Sequence, residues 1–185
     1  MEWNLPNTLT WTRIAAIPLI VLFFYMPYPW ADPAAGLLFA AAGVTDSLDG
    51  YFARRLGQIS RLGAFLDPVA DKLIVAGALI VLLQLERVDA LVALIVIGRE
   101  IAISALREWM AKVGQAKSVA VAFIGKLKTV FQMIAIPLLL YHDPLFDMID
   151  CQWLGTLLIN VAAVLTVVSM LYYMRKALPH ALTRP

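Results

Sequence analysis

Four aspartates between residues 46 and 71 stand in a chain that is otherwise strongly apolar. Asp46 and Asp49 are three residues apart, and Asp67 and Asp71 are four apart, so each pair would share one face of a helix. Carboxylates that converge repel one another unless cations hold them together. Hard divalent ions prefer such oxygen ligands, and Mg²⁺ usually shares its coordination shell with phosphate oxygens. The aspartates therefore predict a site for Mg²⁺ or Mn²⁺ together with a phosphate compound.

The residues after the first two aspartates support this interpretation. Gly50 and Ala53 fall on the same helical face, and their small size lets a bulky ligand approach the backbone. Arg54 offers the planar donor fork that suits phosphate oxygens. The segment thus predicts a metal-bound diphosphate. Two simpler explanations stay open: neighbouring Arg and Lys residues neutralise the aspartates in ion pairs, or the small residues serve only helix packing.

Transmembrane helices are the elements that would position these residues. Hydrophobic residues make up 62% of the 185 residues and the mean hydropathy is +0.80, whereas soluble domains contain about 45–50% apolar residues. A bilayer span needs about 20 mostly apolar residues, and six segments come near this length: 9–30, 34–53, 62–85, 89–110, 119–141 and 153–174. We therefore predict one all-α, polytopic membrane domain over residues 1–185, with six transmembrane helices and a short N-terminal interfacial segment.

The charge distribution predicts how this domain is oriented. Lys and Arg gather at one set of helix ends, whereas the opposite connections carry only Arg87 among several acidic residues. By the positive-inside rule both termini are cytoplasmic. The short connection between segments 34–53 and 62–85 predicts antiparallel neighbours, which would bring the four aspartates together on the cytoplasmic side. Basic residues there suit anionic membrane lipids, and their scattered positions give no nucleic-acid-binding module.

The spacing of the charged segment resembles a known signature. It runs D-x2-D-G-x2-A-R-x8-G-x3-D-x3-D from Asp46 to Asp71, and it is similar at every fixed position to that of the CDP-alcohol phosphotransferase family. The resemblance implies six transmembrane helices and transfer of a substituted phosphate from a CDP-linked donor to an alcohol, with CMP as the leaving group.

Three further stretches narrow the resemblance. NLPNTLTWTRIAAIPL, GAFLDPVADKLIVA and REIAISALREWMA resemble the bacterial branch that condenses CDP-diacylglycerol with sn-glycerol 3-phosphate to phosphatidylglycerophosphate in phospholipid biosynthesis. With the signature they span most of residues 4–132, and after Leu138 we recognise little beyond a hydrophobic ending. This branch implies a homodimer in the bacterial inner membrane, with its active site facing the cytoplasm.

Roles for the matching residues follow from the resemblance. It implies that Asp46, Asp49, Asp67 and Asp71 hold two divalent ions. It also implies that Asp71 is the general base for the acceptor hydroxyl, and that the CDP moiety contacts Asp49, Gly50, Ala53, Arg54 and Gly63. A metal-bound carboxylate is a weak base, so Asp71 would also orient the hydroxyl.

The acceptor's phosphate requires cations of its own. Arg107, Lys126 and Lys128 are our predicted contacts, with Arg99 behind them. Glu100 is seven residues before Arg107, so an ion pair that merely braces the fourth helix is an equally acceptable interpretation.

Three rival functions share some of these features. A divalent-cation or proton transporter also uses intramembrane aspartates, but here no matching acidic site occurs toward the outside. A prenyltransferase would be longer and would lack D-G-x2-A-R. A relative that uses another alcohol, such as serine or inositol, would share the whole metal site and differ only around the acceptor.

Overall fold

The computed structural model describes residues 5–56, 61–115, 123–145 and 148–182, and it describes the backbone alone for residues 5–10, 13, 46–56, 61–65 and 180–182. Within these ranges the chain forms six α-helices and no strand: α1 (Leu5–Phe24), α2 (Ala31–Leu56), α3 (Arg61–Gln84), α4 (Ala90–Lys112), α5 (Phe123–Tyr141) and α6 (Cys151–Leu182). Each helix overlaps one predicted segment, but α1 ends at Phe24, before the predicted residue 30, and α6 continues to Leu182, beyond the predicted residue 174. The N-terminal segment is continuous with α1, and its depth in the lipid headgroups stays a prediction.

The apolar content of the helices suits a lipid environment. By length and composition, two described helices are able to cross a membrane: Phe123–Tyr141, with mean hydropathy 1.6, and Cys151–Pro179, with mean hydropathy 2.2. Shorter apolar runs lie in α1 and α2, at Ile14–Phe24 and Ala31–Thr45. Large apolar side chains are also exposed on the outer faces of the helices, as expected where lipid replaces water. The described chain is therefore an all-α, polytopic membrane protein.

Local signals at both ends determine where α4 begins and stops. The side chain of Asp89 accepts a hydrogen bond from the amide of Leu91 at 2.7 Å, which caps the N-terminus. At the other end Gly114 adopts a φ of 75°, and the amide of Gln115 donates to the carbonyl of Met110 at 2.8 Å. This is the Schellman arrangement that favours glycine. The two caps define the helix that carries Arg99, Glu100 and Arg107.

Each of the described helices packs against at least two others. In the part described, α1 packs against α2 and α3, α5 packs against α2 and α6, and α4 packs against α6 and α3. A Cβ on Gly36 would lie 2.8 Å from the carbonyl oxygen of Pro137, so glycine lets the backbones of α2 and α5 approach closely. We expected α2 and α3 to be antiparallel neighbours. The side chains that flank their connection lie outside the described residues, so this stays a prediction. α1 contacts both helices, with Ala16 and Ile20 buried in the common core.

Polar contacts tie the connection between α3 and α4 to the start of α2 and to the end of α5. Arg87 donates to the carbonyls of Leu139 at 3.2 Å and Leu140 at 3.1 Å, near the C-terminus of α5. It also forms an ion pair with Asp32 in the first turn of α2. We call these residues the Arg87 cluster. It satisfies carbonyls that the end of α5 would otherwise leave without partners.

Candidate active site

A cavity of about 550 Å³ lies between α2, α3, α4 and α5. Its α2 wall is apolar and includes Phe39 and Ala42. Its charged lining comes from the other three helices and consists of Asp71, Lys72, Arg99, Glu100, Arg107 and Lys128. Charged side chains within membrane-spanning helices usually face such an interior and mark a functional site. This cavity is therefore the candidate active site.

Two of the predicted metal ligands belong to α3. Asp67 and Asp71 lie one turn apart and are both partly buried, and Asp71 lines the cavity. Their carboxylates supply the hard oxygen donors that Mg²⁺ and Mn²⁺ prefer, so the residues fit such an ion. Among the side chains that the structure describes, no group of three acidic, His or Cys residues is assembled. Asp67 and Asp71 are thus the described half of the predicted ligand set.

The other predicted ligands belong to the last turns of α2. The structure describes only the backbone of these residues and of the others predicted to contact the CDP moiety: Asp46, Asp49, Gly50, Ala53, Arg54 and Gly63. Gly43 of α2 lines the cavity, and Asp46 follows about 4.5 Å farther along the helix axis. The helix that carries these predicted residues is therefore also a wall of the cavity.

Arg99 of α4 and Lys128 of α5 share the carboxylate of Glu100. Glu100 accepts hydrogen bonds from Nζ of Lys128 and from Nη1 of Arg99, the latter at 3.2 Å. Lys128 also donates to Oε1 of Gln132 at 3.3 Å. Lys128 is only 2% exposed and Arg99 only 6%. We call Arg99, Glu100, Arg107 and Lys128 the Arg99 cluster. Because the charges of Lys128 and Arg99 are shielded from solvent, they require compensation from the protein or from a ligand.

The Arg99 cluster has more positive than negative charge. It contains three cations and one carboxylate, all in the lining of the cavity. In addition, Nε of Arg99 and Nε of Arg107 are buried without a hydrogen-bond partner among the described residues. Leaving a buried donor without a partner costs about 1–3 kcal/mol. Guanidinium groups with surplus charge and available donors are suited to bind an anion such as phosphate.

Two residues of α6 contact this cluster from outside the cavity lining. The hydroxyl of Ser169 accepts a hydrogen bond from Nη2 of Arg99 at 3.3 Å. The ring centroid of Tyr173 lies 5.5 Å from Cζ of Arg107 and 6.0 Å from Cζ of Arg99. Neither residue was predicted from the sequence. Their spacing of four residues within an apolar helix was the available signal, because buried polar groups in a membrane helix require partners.

The predicted acceptor residues divide into two groups. Arg99, Arg107 and Lys128 line the cavity together, whereas Lys126 is exposed and lines a second cavity, of about 590 Å³, between α2 and α5. Two residues correspond to about 200° around a helix, so Lys126 and Lys128 face different directions. Glu100, predicted as a partner of Arg107 along α4, instead pairs with Lys128 of α5 and with adjacent Arg99.

Fold and site together define a helical membrane protein with a charged internal cavity. The sequence model of the CDP-alcohol phosphatidyltransferases matches residues 3–170. The chain is 48% identical over 179 residues to the CDP-diacylglycerol–glycerol-3-phosphate 3-phosphatidyltransferase of Escherichia coli, covering 96% of each chain. Proteins of the same name from Shigella flexneri and Shigella boydii match with the same identity and coverage. The chain belongs to the CDP-alcohol phosphatidyltransferase family.

Proposed function

We propose that this protein transfers the phosphatidyl group of CDP-diacylglycerol to sn-glycerol 3-phosphate, forming phosphatidylglycerophosphate and releasing CMP. The observation that carries the proposal is the cavity whose lining combines Asp71 with Arg99, Arg107 and Lys128. An acceptor with both a hydroxyl and a phosphate needs such a combination of a proton acceptor and cations. The names of the relatives with 48% identity support the same substrates.

The donor would bind at the aspartates. Asp46, Asp49, Asp67 and Asp71 are the proposed ligands of two divalent ions, Mg²⁺ or Mn²⁺. When bound, these ions would polarise the diphosphate and stabilise the departing oxygen of CMP. Contacts to the CDP moiety are proposed for Asp49, Gly50, Ala53, Arg54 and Gly63. The carboxylate oxygens of Asp67 and Asp71, one turn apart on α3, support this choice of ions.

The acceptor would bind at the Arg99 cluster. Three cations and one carboxylate leave a surplus of two positive charges, which matches a phosphate dianion. The buried Nε donors of Arg99 and Arg107 could then bind phosphate oxygens. Lys126 would act from the edge of the site, since its cavity shares Gly43 and Thr129 with the first one.

The transfer step would occur between these two sites. The acceptor hydroxyl oxygen forms a bond to the phosphorus of the phosphatidyl group, and the bond from that phosphorus to the CMP oxygen breaks. CMP leaves with the electron pair. Asp71 accepts the hydroxyl proton, and its carboxylate also orients the hydroxyl before attack.

The reaction would take place at the bacterial inner membrane. The chain would be a homodimer there, with both termini and the active site on the cytoplasmic side. The Lys and Arg residues at one set of helix ends support this orientation. The orientation can be tested in a Cys151→Ala background with one cysteine introduced near Arg87 or near Gly114. A thiol reagent that does not cross the membrane should label intact cells only at the position near Arg87.

A CMP-release assay tests the proposed reaction. The purified protein in mixed micelles receives CDP-diacylglycerol, Mg²⁺ and one acceptor: glycerol 3-phosphate, glycerol, serine or inositol phosphate. We expect CMP with glycerol 3-phosphate alone and its loss when EDTA removes divalent ions. Turnover with a different alcohol would contradict the assigned acceptor but not the donor. If every acceptor fails with a folded sample, the transferase reaction itself is wrong.

A further inference from the structure

A row of buried polar side chains runs along α6. Thr166, Ser169 and Tyr173 are spaced by three and four residues, so they share one helical face, and each is 0% exposed. The rest of this helix is predominantly apolar. Hydroxyl groups are costly to bury in an apolar helix unless they have partners, so their position on the side of α4 requires an explanation.

Ser169 links the backbone of α6 to Arg99. Its hydroxyl donates to the carbonyl of Thr166 at 3.0 Å, and the same oxygen accepts from Nη2 of Arg99 at 3.3 Å. Because the hydroxyl proton is used within α6, the oxygen presents its lone pair to the guanidinium. One side of Arg99 is therefore anchored on α6, while Glu100 accepts from the other nitrogen, Nη1.

Tyr173 contacts both guanidinium groups at once. Arg99 and Arg107 are eight residues apart on α4, and the ring of Tyr173 lies within 6.0 Å of Cζ of each. Aromatic ring faces attract cations, and the attraction is stronger when the groups are desolvated. Ile103 and Met110 of α4 pack with Tyr173 in a small buried cluster, which leaves the ring little freedom to move.

We infer that Tyr173, with Ser169, is a positioning residue of the acceptor site that makes the enzyme selective for an acceptor bearing a phosphate. This role rests on the proposed function. An arginine side chain loses considerable rotational freedom when a ligand immobilises it. Tyr173 holds both arginines in place before binding, so that less of this entropy is lost on binding. The expected consequence is a lower KM for the phosphate-bearing acceptor and a smaller effect on kcat.

The main test compares Tyr173→Leu with the wild type in mixed micelles. We expect the KM for glycerol 3-phosphate to rise about ten-fold, the order of magnitude expected when two arginine side chains must be immobilised on binding. The KM for CDP-diacylglycerol should change less than about two-fold, because both guanidinium groups that the ring contacts belong to the cluster assigned to the acceptor. Trp153→Leu, which also removes an aromatic ring from α6, is the control, since Trp153 is 64% exposed and lies about 30 Å along the helix from Tyr173.

A second series changes the ring without changing its size. Tyr173→Phe keeps the aromatic ring and is the reference of this series. Phenylalanines with increasing fluorination at this position should raise that KM stepwise, because fluorine withdraws electron density from the ring face. This series stays informative even if Tyr173→Leu fails to fold.

The possible results distinguish a failure of the role inferred for Tyr173 from a failure of the proposed function. If the wild type uses glycerol 3-phosphate but fluorination leaves its KM unchanged, Tyr173 only packs and the inference is wrong. Equal increases in the KM of both substrates would also overturn it. If the wild type instead uses an acceptor without a phosphate, the proposed function fails first, and this role of Tyr173 fails with it.

Discussion

Arg87 and Arg99 are both largely buried arginines, but their surroundings differ. Arg87 donates to two carbonyls and pairs with Asp32, so one cation meets one carboxylate. Arg99 shares Glu100 with Lys128 and lies near a third cation, Arg107. Its Nε, like that of Arg107, has no hydrogen-bond partner among the described residues.

The difference separates a structural ion pair from a site prepared for a ligand. The Arg87 cluster is balanced in charge and its contacts join the ends of α2 and α5. The Arg99 cluster is not balanced within the described residues and borders a cavity of about 550 Å³. A buried charge without compensation is costly, so an anionic ligand would complete the second cluster, whereas the first needs none. Mutations in the two clusters should consequently affect different properties.

The largest expected effect is the loss of turnover when the carboxylate of Asp71, which lines the cavity, is removed. Asp71→Asn should lower kcat by about 10²–10⁴-fold, the usual contribution of a positioned acid or base, with little change in unfolding temperature. Asp32→Asn, which removes the carboxylate of the Arg87 cluster, should retain kcat. Steady-state CMP release from both variants provides the comparison. Normal turnover in Asp71→Asn would exclude this residue from proton transfer.

Removing the carboxylate of the Arg99 cluster should mainly lower stability. Glu100→Gln leaves the buried Lys128 without its charged partner, which should cost about 3–5 kcal/mol in the free energy of unfolding. Glycerol 3-phosphate should then raise the unfolding temperature of the variant more than that of the wild type. Thermal unfolding in detergent measures both effects. Glu86→Gln, at an exposed residue, is the control, and an equal response of both variants would argue against an anion site.

Arg87→Ala should lower stability without affecting either substrate. The variant loses hydrogen bonds to Leu139 and Leu140 and the ion pair with Asp32, so we expect a loss of about 2–3 kcal/mol. The KM of both substrates should stay within about two-fold of the wild type. Unfolding and kinetics on one preparation test this. A selective increase in the KM for glycerol 3-phosphate would remove the contrast between the clusters.

Arg107→Ala should impair binding of the acceptor more than it lowers stability. Loss of a charged donor to the acceptor phosphate should raise the KM for glycerol 3-phosphate by about 10- to 100-fold. Stability should change less than in Arg87→Ala, because Arg107 takes no part in the ion pairs of Glu100 and, among the described contacts, loses only that with the ring of Tyr173. Lys112→Ala, on the same helix at an exposed ion pair with Glu108, controls for the loss of a nearby charge. An unchanged KM in Arg107→Ala would refute its assignment.

The smallest effect is expected at Lys126. Because this exposed residue lines the second cavity, Lys126→Ala should raise the KM for glycerol 3-phosphate by at most about three-fold, and less at high salt. Lys128→Met, two residues away, should raise it far more. Equal effects of the two variants would mean that the acceptor reaches both cavities.

Helix number and approximate limits were predictable from the sequence because they depend on local features. Apolar runs, the cap at Asp89 and the glycine at position 114 all act within a few residues. The C-terminal limit of α6 was less predictable. Arg175 and Lys176 ended the predicted segment at residue 174, but the helix continues to Leu182, because backbone hydrogen bonding does not require an apolar side chain.

The candidate site was predictable only in part. The spacing of Asp67 and Asp71 was enough to put them on one face of α3. In contrast, the pair of Glu100 with Lys128 joins residues 28 positions apart, and the bond from Arg99 to Ser169 joins residues 70 apart. Such contacts depend on which helices are neighbours. No property of the α4 sequence indicates that α6 packs beside it.

The sequence by itself determined the helices, the aspartate pairs and the family signature, because each is expressed in spacings that a single helix preserves. Tertiary structure decided which cations meet in the cavity. Lys126 and Lys128 have similar chemistry, and only the packing of α5 directs Lys128 inward and leaves Lys126 exposed. Tertiary structure also decided that Tyr173 contacts two arginines, because the position of one helix against another follows from side-chain packing over the whole bundle.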